Sequence, residues 1–289
     1  MPGLTRTHRI VALVVFALVA LLVLVAPVAV LIVAAFAKAW TGPLPTAWTT
    51  LHVSNALSGD TLASLSVSLQ TALAAGIVAA FVGTWSALAS RGLPRHLRTL
   101  TATVMHLPAA IPSVVVGLGV LVAFAGPPMM MSGEPTIVIV TQITLVLSFA
   151  YSSVSSAATR LDPKLAQAAA SLGASSLRVL LKVEIPLLLP AIGAAFGLSL
   201  ALAMGELGAT IMVYPPTWRT LPVSVFTASD RGDLFTAAAC TLVLVAVTAV
   251  ILGLVTQITQ NRSQASVARR RLFGRRTSHQ TIPHTASTS

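Results

Sequence analysis

Long apolar runs alternate along the chain with short polar or Pro/Gly-rich segments. A helix needs about 20 apolar residues to cross the hydrocarbon core of a bilayer. Six runs qualify: Val11–Ala39, Leu62–Ala89, Thr99–Ala125, Thr136–Ala158, Leu187–Val213 and Leu234–Thr256. Turn punctuation separates them at Gly42-Pro43-Leu44-Pro45, Gly126-Pro127-Pro128 and Pro215-Pro216. The pattern predicts an all-α, polytopic membrane protein: a short N-terminal segment (1–10), one domain of six transmembrane helices (11–260) and a basic, disordered tail (261–289). Arg6 and Arg9 precede the first run, as in a signal peptide. That run is nearly twice the roughly 7–15 residues of a signal h-region, so it reads as an uncleaved helix.

Composition narrows the class. Of the 289 residues, 55% are hydrophobic and 9% charged, against about 25% charged in soluble domains. This excludes a soluble domain, a disordered chain and a nucleic-acid-binding module. The single cysteine, Cys240, excludes a disulfide framework and a Cys-based zinc site.

The net charge of +11 has an uneven distribution. With the N-terminus inside, fifteen of the eighteen Lys and Arg residues fall on cytoplasmic segments; only Lys38, Arg219 and Arg231 fall outside. The expected location is therefore the plasma (inner) membrane, multi-pass, with both termini and the loop 159–186 cytoplasmic. Trp40, Trp48, Tyr214 and Trp218 fall near the outer interface, where amphipathic rings collect. The Arg269–Arg276 cluster suits anionic lipid rather than nucleic acid.

Polar residues inside apolar runs are the candidates for chemistry. Glu206 is the one ionisable residue deep in a run. Intramembrane carboxylates face a bundle interior or a water-filled path. Ser199, Ala203, Glu206 and Thr210 recur at helical steps, which predicts one face of span 5. Two readings stand side by side: Glu206 lines a conduit or gate, or it bonds backbone groups and fixes packing. A second polar face runs through Thr141, Thr144, Ser148, Ser152 and Ser155 of span 4. It should point inward, as substrate contact or as hydroxyls bonded to their own helix. Together these faces nominate Glu206, Ser199, Thr210, Ser148 and Ser152 for a translocation pathway or gate.

Gly193, Gly197, Ala201, Gly205 and Ala209 keep a four-residue step and predict a tight packing seam. Pro108 and Pro112 interrupt the start of span 3 as a kink or a hinge. His106 reads as a core or interfacial histidine and Cys240 as packing. Met129-Met130-Met131 reads as an apolar loop docking on bilayer or partner. No nucleophile–base pair, paired carboxylates or metal-ligand set is visible, so the chain reads as a non-enzyme without a metal.

The loop between spans 4 and 5 carries the most information. Asp162 fits an N-cap, Pro163 the first helical position and Gly173 a left-handed helix end. Ser175 or Ser176 can cap a second helix, with Pro186 at its end. On periodicity alone this is equally a surface connector. Its spacing, however, resembles the EAA loop of binding-protein-dependent ABC importer permeases: Glu-Ala-Ala, three residues, Gly, nine residues, Ile-x-Leu-Pro. Here Gln167, Ala168, Ala169, Gly173, Val183, Ile185 and Pro186 occupy those positions, with Gln167 for Glu, Val183 for Ile and Ile185 for Leu.

Leu107–Ser113 and Met204–Thr210 look like the molybdate, sulfate, iron and phosphonate branch of these permeases. Gly205–Trp218, Thr220–Val223 and Asp230–Gly232 resemble 2-aminoethylphosphonate importer permeases. The resemblance implies a MetI-like fold and the translocating subunit of an ATP-driven importer for 2-aminoethylphosphonate or a related phosphonate. A molybdate/sulfate, iron or thiamine importer is the alternative within the class. A proton-coupled secondary transporter using Glu206 is the alternative outside it. The implied partners are a cytoplasmic ATPase dimer docked on the EAA loop, a second permease subunit, an extracytoplasmic binding protein and membrane lipid. The chain has no GxxxxGK[ST] phosphate cradle, so it binds no cofactor itself and the partner ATPase uses the ATP.

Overall fold

The computed structural model describes the backbone of residues 6–277 and the side chains of residues 8–258. The helices are α1 (Arg6–Ala20), α2 (Ala26–Phe36), α3 (Leu51–Ala56), α4 (Gly59–Ser90), α5 (Arg95–Ala110), α6 (Ser113–Ala123), α7 (Pro135–Ala158), α8 (Pro163–Ser171), α9 (Ser176–Val179), α10 (Ile185–Met204), α11 (Thr210–Val213), α12 (Leu221–Asp230) and α13 (Leu234–Thr277). Between α2 and α3, β1 (Ala37–Ala39) and β2 (Ala47–Trp48) pair antiparallel, with Ala37 opposite Trp48.

Among the described residues, five helical runs are long and apolar enough to cross a membrane: His8–Phe36, Gly59–Ser90, Pro135–Ala158, Ser176–Met204 and Leu234–Ile258. The run expected as one span over Thr99–Ala125 is broken. α5 and α6 meet at a bend of 105°, and counted together they make a sixth crossing. The break falls at Ile111–Pro112 because proline lacks the N–H a helix needs and disfavours helical backbone in the residue before it. Pro108, by contrast, sits inside α5 without ending it.

Two other prolines are absorbed differently. A π-helical turn, Leu21–Val25, directly precedes α2, whose second residue is Pro27; another, Leu180–Glu184, directly precedes α10, whose second residue is Pro186. The proline ring crowds the carbonyl four residues back. A wider turn at that place makes room and lets the helix continue. Pro186 therefore does not end the second loop helix, as its position suggested; the helical run continues from Ser176 to Met204. At its far end the chain leaves the helix at Gly205, so span 5 does not continue helically to Val213. The last helix runs past 261 to Thr277, where a disordered tail was expected. The Gln, Ala, Arg and Leu residues in that stretch are good helix formers and no proline interrupts them. The rest of the tail lies outside the described residues.

The described chain forms two units. The first comprises the chain up to Ala75, Ile111–Leu145 and Ala201–Ala249; the second comprises Gly76–Ala110, Val146–Leu200 and the chain from Val250. In the first, Ala35, Ala56, Leu221, Ala239 and Cys240 form one apolar cluster, and Ile137, Val138 and Val213 form another. α4 adds a polar rail at helical spacing. Ser224 Oγ donates to Ser64 Oγ (2.9 Å), Leu221 N to Ser68 Oγ (2.7 Å) and Trp218 Nε1 to Thr71 Oγ1 (3.0 Å). The Ser68 bond satisfies one of the N–H groups left unpaired at the start of α12. Trp218, expected at the bilayer interface, thus holds α4 with its indole N–H. In the second unit, small residues on α4, including Ala79, Ala80 and Ala87, are buried, as are Tyr151, Val154, Leu188 and Ala195.

Candidate functional site

In the second unit, α8 and α9 form the helix–turn–helix expected from the sequence. Asp162 Oδ1 accepts from Lys164 N at 2.9 Å and caps α8, with Pro163 at its first position. Gly173 ends it with φ +82°. Gly173 N donates to Ala170 O (2.9 Å) and Ala174 N to Ala169 O (3.1 Å), the paired closure of a Schellman motif. A residue with a Cβ resists that left-handed conformation. Gln167, Ala168, Gly173 and Pro186 are exposed, whereas Ala169, Val183 and Ile185 are half-buried.

Two features here went unseen in the sequence. Leu172, at the turn, is 90% exposed, and Leu165 on α8 and Leu177 on α9 are also exposed. The i, i+3 and i+4 search for apolar faces passes over it, because Leu172 sits where a helix ends. The second is an ion pair: Arg91 Nη1 meets Glu184 Oε1 at 3.1 Å, both side chains partly buried. It ties the segment after α4 to the π turn that leads into α10. Glu184 occupies the variable position of the Ile-x-Leu-Pro element, which no motif could single out.

The first unit contains Glu206, and here the helical-face reading fails. α10 stops at Met204, and Gly205–Ala209 is a non-helical break before α11. Glu206 and Thr210 therefore do not continue the face of α10 that carries Ser199 and Ala203. Glu206 is half-buried, and its Oε1 accepts from Ala209 N at 2.6 Å. Gly208 lies against Ser113 and Val114 at the start of α6, with no room for a side chain. A Cβ on Gly117 would stand 2.6 Å from Ala209 O, so only glycine lets α6 approach this backbone. Thr210 is buried and accepts from Gln142 Nε2 at 3.3 Å. Gln142, a buried amide on α7, was missed because a neutral side chain inside an apolar run carries no charge signal.

A cap-closed helix pair in one unit and a broken, tightly packed helix end in the other describe a polytopic protein with one segment presented outward. Comparison with known proteins decides which. The model of the binding-protein-dependent transport system inner membrane component matches residues 72–267. The chain belongs to that family.

Among the permease's relatives is the 2-aminoethylphosphonate transport system permease protein PhnV of Salmonella choleraesuis (strain SC-B67). It is 40% identical over 252 residues, covering 87% of this chain and 95% of the relative. A bacterial ABC transporter involved in the import of the acidic polysaccharide alginate has a similar fold, with TM-score 0.71, 16% identity and coverage of 89% and 96%. So does the methionine ABC transporter MetNI, with TM-score 0.56, 16% identity and coverage of 71% and 99%. The permease is a multi-pass membrane protein with the MetI-like fold.

The remaining candidate residues of the permease divide by environment. Ser148 and Ser199 are buried, and their hydroxyls meet no hydrogen-bonding partner among the described residues; Ser152 is half-buried. Thr141 and Thr144 on the same helix bond their own backbone, at Ile137 O and Val140 O. The small-residue seam is not one stripe. Gly197 faces Val255 and Leu252 of α13 within this chain, Gly205 has left the helix, and Ala209 faces Gly117. Cys240 lies in the apolar core, as expected.

Proposed function

We propose that the permease is the membrane-spanning subunit of an ATP-driven importer of 2-aminoethylphosphonate or a closely related phosphonate. The observation that carries the substrate is the 40% identity to PhnV along 87% of the chain. The segment Asp162–Pro186 is the docking element for a cytoplasmic ATPase dimer. Its support is the Schellman-closed turn at Gly173, which holds Leu172 out into solvent where a partner's cleft can enclose it. Gln167 supplies hydrogen bonds but no charge, so docking relies on shape and on apolar contact with Leu172, Leu165 and Leu177. ATP is bound and hydrolysed by the partner, and the Arg91–Glu184 pair passes movement of the docking element into the segment after α4.

A second permease subunit completes the pathway, and an extracytoplasmic binding protein delivers the substrate. The side chains of Glu206, Thr210, Ser148, Ser152 and Ser199 contribute to the pathway or its gate. Both termini and Asp162–Pro186 face the cytoplasm, in keeping with the fifteen-to-three distribution of Lys and Arg.

Uptake of labelled 2-aminoethylphosphonate into vesicles carrying the permease, its ATPase and its binding protein tests the reading. Uptake should require internal ATP. Uptake of molybdate or sulfate in its place refutes the substrate. Uptake driven by a proton gradient without ATP refutes the class. A single cysteine at Ser175 in a Cys240→Ala background should resist membrane-impermeant label added outside; labelling there refutes the orientation.

A further inference from the structure

A cavity of about 720 Å³ opens within the second unit, between α4, α5 and α7. α5 faces it with Arg98, Thr103 and His106, and α7 with Tyr151 and Ser155; the steps run from three to five residues, each set one face of a helix. Arg91 enters from the end of α4. Among the described residues, no carboxylate lines the space.

The two arginines differ. Arg91 is neutralised by Glu184, while Arg98 has no ion pair among the described residues. The cavity therefore carries one uncompensated positive charge. Thr103 and Ser155 add hydroxyls that bond no other described group, and His106 is held edge-on to Tyr151, with ring centroids 5.6 Å apart and planes at 74°. An exposed guanidinium without an acidic partner, beside hydroxyl and imidazole donors, suits a tetrahedral oxyanion: the guanidinium fork has the shape to pair with two oxygens of a phosphorus centre, leaving a third for the hydroxyls. The volume lies within the roughly 300–1,000 Å³ of small-molecule sites and leaves space for an amino group and water.

We propose that this cavity binds the phosphonate group of the transported substrate, with Arg98 as its anchor. The inference rests on the reading of the permease as a phosphonate importer. Its chemistry would equally accept the phosphate of a lipid headgroup, so the experiment must separate the two.

Full-length permease in phosphatidylcholine nanodiscs is titrated with 2-aminoethylphosphonate and followed by phosphorus-31 line broadening and by calorimetry, with sulfate and molybdate titrated in parallel by calorimetry. Losing a charge-assisted bond should weaken binding about tenfold or more in Arg98→Gln, while Arg98→Lys, which keeps the charge but loses the fork, should fall between Arg98→Gln and the wild type. Arg98 is exposed, so both variants should melt as the wild type does, which reports their folding independently. Binding by Arg98→Gln equal to wild type, or no oxyanion binding by the wild type, overturns the proposal. Repeating the titration in phosphatidylglycerol nanodiscs separates the sources. An Arg98-dependent shift of the lipid phosphorus that 2-aminoethylphosphonate never displaces makes the cavity a headgroup site and overturns the proposal. Arg98-dependent binding of sulfate or molybdate with none of 2-aminoethylphosphonate keeps the oxyanion site and rejects the phosphonate reading instead.

Discussion

The turn at Gly173 and the break at Gly205–Ala209 are both places where a helix stops, yet they are built in opposite ways. At Gly173 every bond is local: Asp162 caps its own helix, and the turn closes on carbonyls three and five residues back. Nothing packs on the position a Cβ would take, and Leu172 stands 90% exposed. At Gly205–Ala209 the Glu206 cap is also local, but distant elements hold the rest. Ser113 and Gly117 of α6 crowd Gly208 and Ala209, and Gln142 of α7 bonds Thr210. A locally closed, uncovered turn is ready for a partner. A turn enclosed by its own chain is a structural joint. Disturbing the first should impair association and leave the fold; disturbing the second should impair the fold.

The sharpest way to break this contrast is Gly117→Leu. The new side chain meets backbone rather than a flexible side chain, so the loss should lie near or above the top of the ~1–3 kcal/mol range for overpacking. Purified permease in detergent should melt well below wild type and at lower yield. An unchanged melting temperature would mean that α6 does not rest on Ala209.

Gly173→Asp should do the reverse. The left-handed conformation costs a residue with a Cβ roughly 1–2 kcal/mol, confined to the turn. Co-purification of the ATPase should be lost while the melting temperature of the membrane part stays near wild type. Retained ATPase and substrate-stimulated hydrolysis would reduce Asp162–Pro186 to a connector.

Glu206 sharpens the comparison from inside the joint. Glu206→Ala removes the acceptor for Ala209 N and should destabilise by about 1–3 kcal/mol. Glu206→Gln keeps an acceptor oxygen and should melt close to wild type. Uptake by the Gln variant then reports the charge alone: a fall with assembly intact places that charge on the substrate's path. Wild-type stability and uptake in both variants would leave Glu206 with neither role.

The smallest effect belongs to Arg91 and Glu184. A double-mutant cycle of Arg91→Gln and Glu184→Gln should give a coupling of about 0.2–1 kcal/mol in melting, the range for partly exposed pairs. A coupling of zero in stability together with a loss of ATPase-coupled uptake in either single variant would make the pair a transmission element only.

Much of Asp162–Pro186 was legible because its determinants are close in sequence. The proline start, the Asp162 cap and the glycine stop act within five residues of the groups they satisfy, so reading them requires no knowledge of the fold. Leu172 escaped notice because exposure is a tertiary property. The surroundings of Ser199, Glu206 and Thr210 were less legible. Helical steps join Ser199 to Thr210 only while the helix continues, and nothing in Met204–Thr210 read as a helix stop. Glycines are common within membrane helices, so Gly205 and Gly208 gave no warning.

By itself the sequence determined the apolar runs, the bias of Lys and Arg, the caps of α8 and the family motif. These follow from bilayer thickness, charge asymmetry and hydrogen bonding between near neighbours. Tertiary structure alone decided that span 3 is a bent pair and that Gly117 faces Ala209. It also decided that Ser68 caps α12, that Trp218 bonds Thr71, and that Arg91 meets Glu184 while Arg98 makes no ion pair among the described residues. Each depends on which residues far apart in the chain are brought within a few ångströms, and periodicity along one helix cannot encode the side chain that arrives from another.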